Sequence, residues 1–222
     1  MSDADSQTFE DDIEVHFPTT VMQRKFADGD NINQRLLNVI KNMERKYRDT
    51  SNNAVKSGRV STVGGYQTSE KMNFFLLDDP TVIEFRDQWI MPAVKSYFEN
   101  VFGEQAQHLN PWLMGWANVL NAGDWQQPHL HPTENNLLSA VYYLKLPEKI
   151  PEPQGWLEFI NPNLNSVHHG LVSSRRLEPE QSKLVMFPPY YMHYVHPFKV
   201  VGDRVIIAFD VLSKKPGIQL VF

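Results

Sequence analysis

The 222-residue chain predicts a mainly β fold with flanking helices: an antiparallel sandwich or barrel with two or more N-terminal helices packed on one sheet. Three observations lead there. The first half carries two apolar patterns at helical spacing, after Pro111 the apolar runs shorten to strand length, and clusters of Gly, Pro, Asn and Asp separate those runs. A helical part is therefore expected at about 30–102 and a sheet part at about 111–212. With 41% hydrophobic residues the chain can bury a full core, so one domain over 13–222 is expected, behind a polar, acidic, flexible arm at 1–12.

The first helix, 30–48, opens on the cap signal Asp30/Asn31 and sets Ile32, Leu36, Ile40, Met43 and Tyr47 on one face. The stretch 51–70, rich in Ser, Asn, Thr and Gly, reads as a loop with one short strand near 60–63. A second helix starts where Asp79 caps and Pro80 occupies the first turn; Phe85, Trp89, Ala93, Tyr97 and Val101 form its stripe, and Pro92 is expected to kink it. That aromatic stripe reads as core rather than as a cofactor box. Strands follow at 113–120, 137–146, 156–160, 183–187 and 204–212, punctuated by Asn121-Ala122-Gly123-Asp124, 147–153, Asn161-Pro162-Asn163, Pro188-Pro189 and Val201-Gly202-Asp203.

Composition narrows the chemistry. The chain has no cysteine, so thiolate metal sites, disulfides and cysteine nucleophiles are excluded, and any metal must be held by imidazole and oxygen. The net charge of −5 is spread along the chain, which argues against a nucleic-acid partner. No apolar run reaches the roughly 20 residues of a membrane span, and the reading is a soluble cytoplasmic protein with no membrane partner. Oligomerisation is open; the C-terminal Val221-Phe222 offers an apolar contact to a neighbour.

His129 and His131 are two residues apart, so on an extended segment their side chains share a face, about 6 to 7 Å apart. His193 follows a buried-looking strand and a rigid Pro-Pro turn that can aim it inward. Three imidazoles on one face suit zinc, copper, iron or nickel and leave positions open for substrate or dioxygen. His196 competes with His193, whereas His168 and His169 sit in a polar loop. Arg204 precedes an apolar strand and is suited to bidentate capture of a carboxylate, the bland alternative being a rim salt bridge, for instance with Glu158. Tyr142 and Tyr143 face opposite sides of their strand: Tyr142 joins Leu138, Ala140 and Leu144, while Tyr143 joins Ser139 and Val141 and is the better candidate to reach a ligand.

The succession Gly123-Asp124, His129-x-His131, Ser139-Ala140-Val141-Tyr142-Tyr143-Leu144, Gly155-x-Leu157-x-Phe159, Phe187-Pro188, His193-x-Val195-x-Pro197-Phe198 and Arg204 resembles the 2-oxoglutarate and Fe(II) dependent oxygenases of bacterial and phage type, within the prolyl-hydroxylase-like superfamily. Upstream, Gly64-Gly65-Tyr66-Gln67-Thr68-Ser69 looks like the same family's N-terminal segment. The resemblance implies a double-stranded β-helix (jelly roll, cupin-like) with Fe(II) at its mouth, 2-oxoglutarate as cosubstrate and O2 as oxidant. The implied reaction is hydroxylation of a protein side chain or small metabolite with release of succinate and CO2, in the bacterial host cytoplasm if the chain is phage-encoded. By similarity His129 and His193 bind the metal, Arg204 pairs with the distal carboxylate of 2-oxoglutarate, Tyr143 supports it, and Asn118 is a weaker member of that pocket.

Two departures stand out. The superfamily carries a carboxylate where this chain has His131. Direct ligation by His131 is the preferred reading, with Glu134 or Asp124 swinging in, or a water, as alternatives. Ile206 stands where many relatives have a serine. Two other functions compete: a three-histidine cupin-type dioxygenase that needs no 2-oxoglutarate, and a non-catalytic β-sandwich binding through Trp112, Trp116, Trp125 and Trp156. Trp125, Gln126 and the loop 147–154 are expected to border the entrance.

Overall fold

The computed structural model describes residues 18–50, 61–68 and 72–213. The expected arm at 1–12, residues 51–60 and 69–70 of the loop expected at 51–70, and the Val221-Phe222 end lie outside the described residues. All strand pairs are antiparallel. In chain order the strands are β1 (Met22–Lys25), β2 (Thr62–Val63), β3 (Tyr66–Gln67), β4 (Pro111–Leu120), β5 (Trp125–His129), β6 (Asn136–Lys145), β7 (Leu157–Ile160), β8 (Ser174–Leu177), β9 (Lys183–Phe187), β10 (His193–Val195) and β11 (Arg204–Ser213). They build a major sheet β1-β9-β6-β11-β4-β3 and a minor sheet β2-β5-β10-β7-β8. From β4 onward the chain passes back and forth between the sheets, four strands to each, which is the double-stranded β-helix.

The alternation along β11 explains how one strand serves two cores. Val205, Ile207, Phe209 and Val211 face the helices, while Arg204, Ile206, Ala208 and Asp210 face the minor sheet and line a cavity. Strand β6 divides in the same way: Leu138, Ala140, Tyr142 and Leu144 join the helix-side core, Val141 and Tyr143 the inter-sheet core. Each large apolar side chain so buried contributes about 1.5–3 kcal/mol.

Helix α1 (Asp30–Thr50) buries Ile32, Leu36 and Ile40; Tyr47, 40% exposed, packs on Tyr66. A buried polar network ties this helix to the major sheet: the Tyr142 hydroxyl donates to Asn33 (2.7 Å), which donates to Ser182 (2.7 Å). The second helical run begins at α2 (Pro80–Glu84), where Asp79 accepts from the backbone N–H of Thr81 and Val82. It continues through a π-helical stretch, Phe85–Ile90, into α3 (Met91–Phe102). Pro92 has no N–H to donate to the previous turn, and the widened turn, in which the Met91 N–H reaches Arg86 O, absorbs that defect. The extra residue also rotates the apolar stripe. Ile90, Val94 and Phe98 join the buried face, and Val101, expected in the core, is 39% exposed.

Asn73 pins this helical part to the sheet edge, donating to Leu113 O and accepting from the N–H of Phe75 and Gly115. Gly115 is required there, because a Cβ would fall 2.6 Å from the Phe75 ring. The strand expectations hold to within a residue or two at their starts. Strands β1, β3, β5, β8 and β10 are additions, each too short to carry a pattern of its own. No helix among the described residues is long and apolar enough to cross a membrane.

Candidate metal centre

The minor sheet brings two of the histidines together by register. His129 on β5 lies directly opposite His193 on β10. His131 is not on the strand, as the two-residue spacing had implied; it sits just past the end of β5, held by its N–H to Pro189 O (3.0 Å), and still turns to the same point. One potential ligand atom from each of the three histidines lies within 4.8 Å of those of the other two.

Each ring is set in the same tautomer by an acceptor at Nδ1. His129 Nδ1 donates to Gln127 O (2.7 Å), His193 Nδ1 to Tyr191 O (2.8 Å), and His131 Nδ1 to Asp210 Oδ1 (2.8 Å). Every Nε2 is then an acceptor that a cation can claim; that of His129 is 3.3 Å from Ser61 Oγ, whose hydroxyl donates to it. Burial lowers the His129 pKa to about 4, against the opposing pull of the Gln127 carbonyl, and lowers that of His193 well below its ordinary value. Both rings are therefore neutral at pH 7, the state that metal binding needs.

The other candidates fall elsewhere. His196 donates to Glu158 (2.5 Å), which Arg176 and Ser174 also engage. His168 and His169 are exposed. Asp124 accepts from the Asn121 N–H, and Glu134 is exposed; neither belongs to the histidine group.

Beside the histidines lies a cavity of about 520 Å³, lined by all three, by Trp116, Phe187, Val195, Ile206 and Ala208, and by Arg204. Arg204 opens β11 and is 1% exposed. The rim salt bridge is absent, because Glu158 is engaged by Arg176 and Asp203 by Lys41. The guanidinium donates through Nε to Gly155 O (3.2 Å), a carbonyl presented by a glycine at φ +65°, and Nη1 has no partner. Burial pushes its pKa down, against the opposing pull of the neighbouring Tyr143 hydroxyl.

Its neighbours are unpaired too. The Tyr143 hydroxyl and both amide atoms of Asn118 are buried without partners, and the Arg204 guanidinium lies 5.2 Å from the Tyr143 ring centre. Asn118, Ile206 and Tyr143 form one cross-strand row on β4, β11 and β6. Buried polar groups are nearly always hydrogen-bonded, so this concentration of orphans at one place fits an anionic, oxygen-rich ligand. Burial raises the Tyr143 pKa, opposed by Arg204, so its hydroxyl is a donor. Ile206 confirms that no serine stands in this row.

Three further residues complete the site: Asp210, which sequence reasoning passed over; Ser139, read there only as the polar companion of Tyr143 and here the hydrogen-bond donor to Asp210; and Trp116, read only as part of a binding module, whose indole stacks on His131 at 5.8 Å. Asp210 shares the inward parity of Arg204, which was the available signal. The loop 147–154, expected at the entrance, supplies no wall of this cavity; Pro147, Lys149 and Ile150 line a separate, smaller one with Trp156.

A double-stranded β-helix with an open histidine centre and a buried arginine defines a class, the cofactor-dependent oxygenases built on this barrel. Residues 114–210, the β-helix part of the chain, match the family described as "Putative 2OG-Fe(II) oxygenase". No curated protein matches it. Among solved structures it resembles a prolyl-4-hydroxylase from Pseudomonas putida (13% identity, 88% of this chain and 93% of that one, TM-score 0.57). It also resembles a Trichoplax adhaerens prolyl hydroxylase in complex with a hypoxia inducible factor peptide fragment (14%, 87% and 84%, 0.59). A third is HygX from Streptomyces hygroscopicus with nickel and 2-oxoglutarate bound (11%, 88% and 83%, 0.55). These likenesses concern the fold. The family match sets aside the cosubstrate-free cupin reading and the non-catalytic sandwich: the protein is an enzyme, a 2-oxoglutarate and Fe(II) dependent dioxygenase.

Proposed function

We propose that His129, His131 and His193 hold Fe(II) through their Nε2 atoms, and that Arg204, with Tyr143 and Asn118, receives the distal carboxylate of 2-oxoglutarate. One observation carries the cosubstrate half: a fully buried arginine with no carboxylate partner, next to an orphaned hydroxyl and an orphaned amide. A keto acid with a second carboxylate supplies the missing counter-charge. When bound, the iron and 2-oxoglutarate supply the redox chemistry, in which O2 oxidatively decarboxylates the keto acid to succinate and CO2 and one oxygen atom enters a C–H bond of the substrate.

The chain's own part is placement and exclusion of water. Arg204 and Tyr143 fix the remote end of the keto acid, so that its reactive end faces the histidines. Leu157, Phe187, Val195, Ile206 and Ala208 wall the space between with apolar surface. The exposed lining residues Gln127, Pro128 and Leu130 mark the side from which the substrate enters. A peptide or a small molecule fits this reading; the Trichoplax neighbour holds a peptide fragment and HygX holds hygromycin B in their solved structures. We further read 13–222 as one catalytic domain, since helices and major sheet share one core, and we place it in the cytoplasm, where 2-oxoglutarate is supplied by metabolism.

The test is succinate formation from 2-oxoglutarate by the purified protein with Fe(II) under air, alongside anaerobic binding of 2-oxoglutarate to the Mn(II) form. Keto-acid binding that requires metal, with succinate released in air, is expected. A protein that loads metal yet neither binds nor consumes 2-oxoglutarate would overturn the assignment.

A further inference from the structure

The ligand set read here lacks the carboxylate of the wider superfamily, so a dication on three imidazoles carries one positive charge more than expected. The structure holds the missing charge one hydrogen bond further out. Asp210, at the far end of the inward face of β11 from Arg204, accepts the Nδ1 proton of His131 at 2.8 Å, and both side chains are about nine-tenths buried. The same Oδ1 accepts from Ser139 Oγ at 2.6 Å, and Ser139 in turn is within 3.4 Å of the Asn136 amide. Among the described residues, no lysine or arginine pairs with Asp210. His131 is also set apart from its two companions, whose Nδ1 protons go to neutral backbone carbonyls.

We propose that Asp210 is a positioning residue for the metal centre: it orients His131 as the third ligand and supplies, through that ring, the negative charge that the ligand set lacks. The inference rests on the assignment of the three histidines above. A carboxylate on Nδ1 fixes the tautomer, strengthens Nε2 as a donor, and limits rotation of the ring. The ring is further clamped between Trp116 (5.8 Å, 26°) and His193 (5.3 Å, 12°), so it reaches the cluster although it lies beyond the end of β5. Holding the proton on Nδ1 leaves Nε2 of His131 as the acceptor, and one potential ligand atom of this ring lies within 4.8 Å of those of the other two histidines.

The experiment is anaerobic calorimetric titration of Mn(II) into the metal-free full chain and into Asp210→Asn, Asp210→Ala and His131→Ala, with the ligand-field absorption of the Co(II) forms as a second readout. Asp210→Asn keeps the shape and an acceptor oxygen but removes the charge, and guards against loss of fold in the alanine variant; thermal unfolding in chelator checks this. Metal affinity is expected to fall about 10- to 100-fold in Asp210→Ala, at least about threefold in Asp210→Asn, and furthest in His131→Ala, with altered Co(II) bands in both Asp210 variants. If both Asp210 variants bind Mn(II) within threefold of the unchanged protein and keep its Co(II) spectrum, while His131→Ala loses the metal, the role of Asp210 is overturned and the ligand assignment stands. If His131→Ala binds unchanged, the ligand assignment itself falls, and this inference with it.

Discussion

Replacing Arg204 by Met separates the two roles of a buried charge. In the protein without cosubstrate the guanidinium is 1% exposed, has one hydrogen bond to Gly155 O, and carries an unpartnered Nη1. Its desolvation is uncompensated, so Arg204→Met should leave the stability of the cosubstrate-free protein unchanged or raise it by about 1–4 kcal/mol, as observed when buried ions are replaced by apolar residues of similar volume. With 2-oxoglutarate the balance reverses. Losing one partner of a buried, hydrogen-bonded charge pair costs about 2–5 kcal/mol, which raises the dissociation constant from about 30-fold to several thousand-fold.

The assay is anaerobic calorimetry of the Mn(II) form with 2-oxoglutarate and with 2-oxobutyrate, which keeps the keto acid head but has no distal carboxylate. The unchanged protein should strongly prefer 2-oxoglutarate, and Arg204→Met should lose that preference because the interaction responsible is gone. Thermal unfolding gives an independent reading: at about 100 times its dissociation constant the ligand adds about 2.7 kcal/mol to the unchanged protein, and at the same concentration far less to the variant. If Arg204→Met binds 2-oxoglutarate within threefold of the original, or if the original does not discriminate the two acids, the reasoning from the buried arginine is wrong.

Tyr143→Phe removes a hydroxyl that has no partner in the cosubstrate-free protein, so stability should hold or rise slightly, while 2-oxoglutarate affinity falls about three- to tenfold, the worth of one hydrogen bond; equal affinity would remove Tyr143 from the pocket. Burial pushes the Glu158 carboxyl up, but hydrogen bonds from Ser174, His196 and Arg176 outweigh it and hold the pKa at about 2. A folded-state value below the unfolded one stabilises above the unfolded pKa of about 4.3 and is lost as pH falls through about 2. Glu158→Gln should therefore cost about 1–3 kcal/mol at pH 7 in denaturant melts, with the difference from the original shrinking between about pH 4.5 and 2; a pH-independent difference would contradict the assignment. Gly115→Ala forces a methyl group to 2.6 Å from the Phe75 ring and should destabilise by about 1–3 kcal/mol, visible as a lowered Tm; an unchanged Tm would mean that the ring moves freely aside.

What was legible in the chain follows from the range of the physics involved. Alternation along a strand is a local property of extended backbone, and so the division of Tyr142 from Tyr143 could be read directly, and the structure seats them in separate cores. The cap at Asp79-Pro80 is equally local, because side chain and N–H groups lie within three residues. The π-helical turn before Pro92 was not legible beyond the expectation of a disturbance. Which way a helix accommodates a missing donor depends on what packs against it, and that choice moved Val101 out of the core.

By itself the sequence determined the class of fold, the absence of thiolate chemistry, and the residues from which a metal and anion site could be assembled: His129, His131, His193, Arg204, Tyr143 and Asn118. Only the tertiary structure decided that His193 rather than His196 faces His129, that Glu134 and Asp124 stand apart, that Arg204 pairs with no carboxylate among the described residues, and that Asp210 holds His131. The reason is physical. The face on which a side chain emerges is set by its own φ and ψ, but its partner is set by cross-strand register and by closure of one sheet over the other, and these join residues far apart in the chain through contacts that no local pattern encodes.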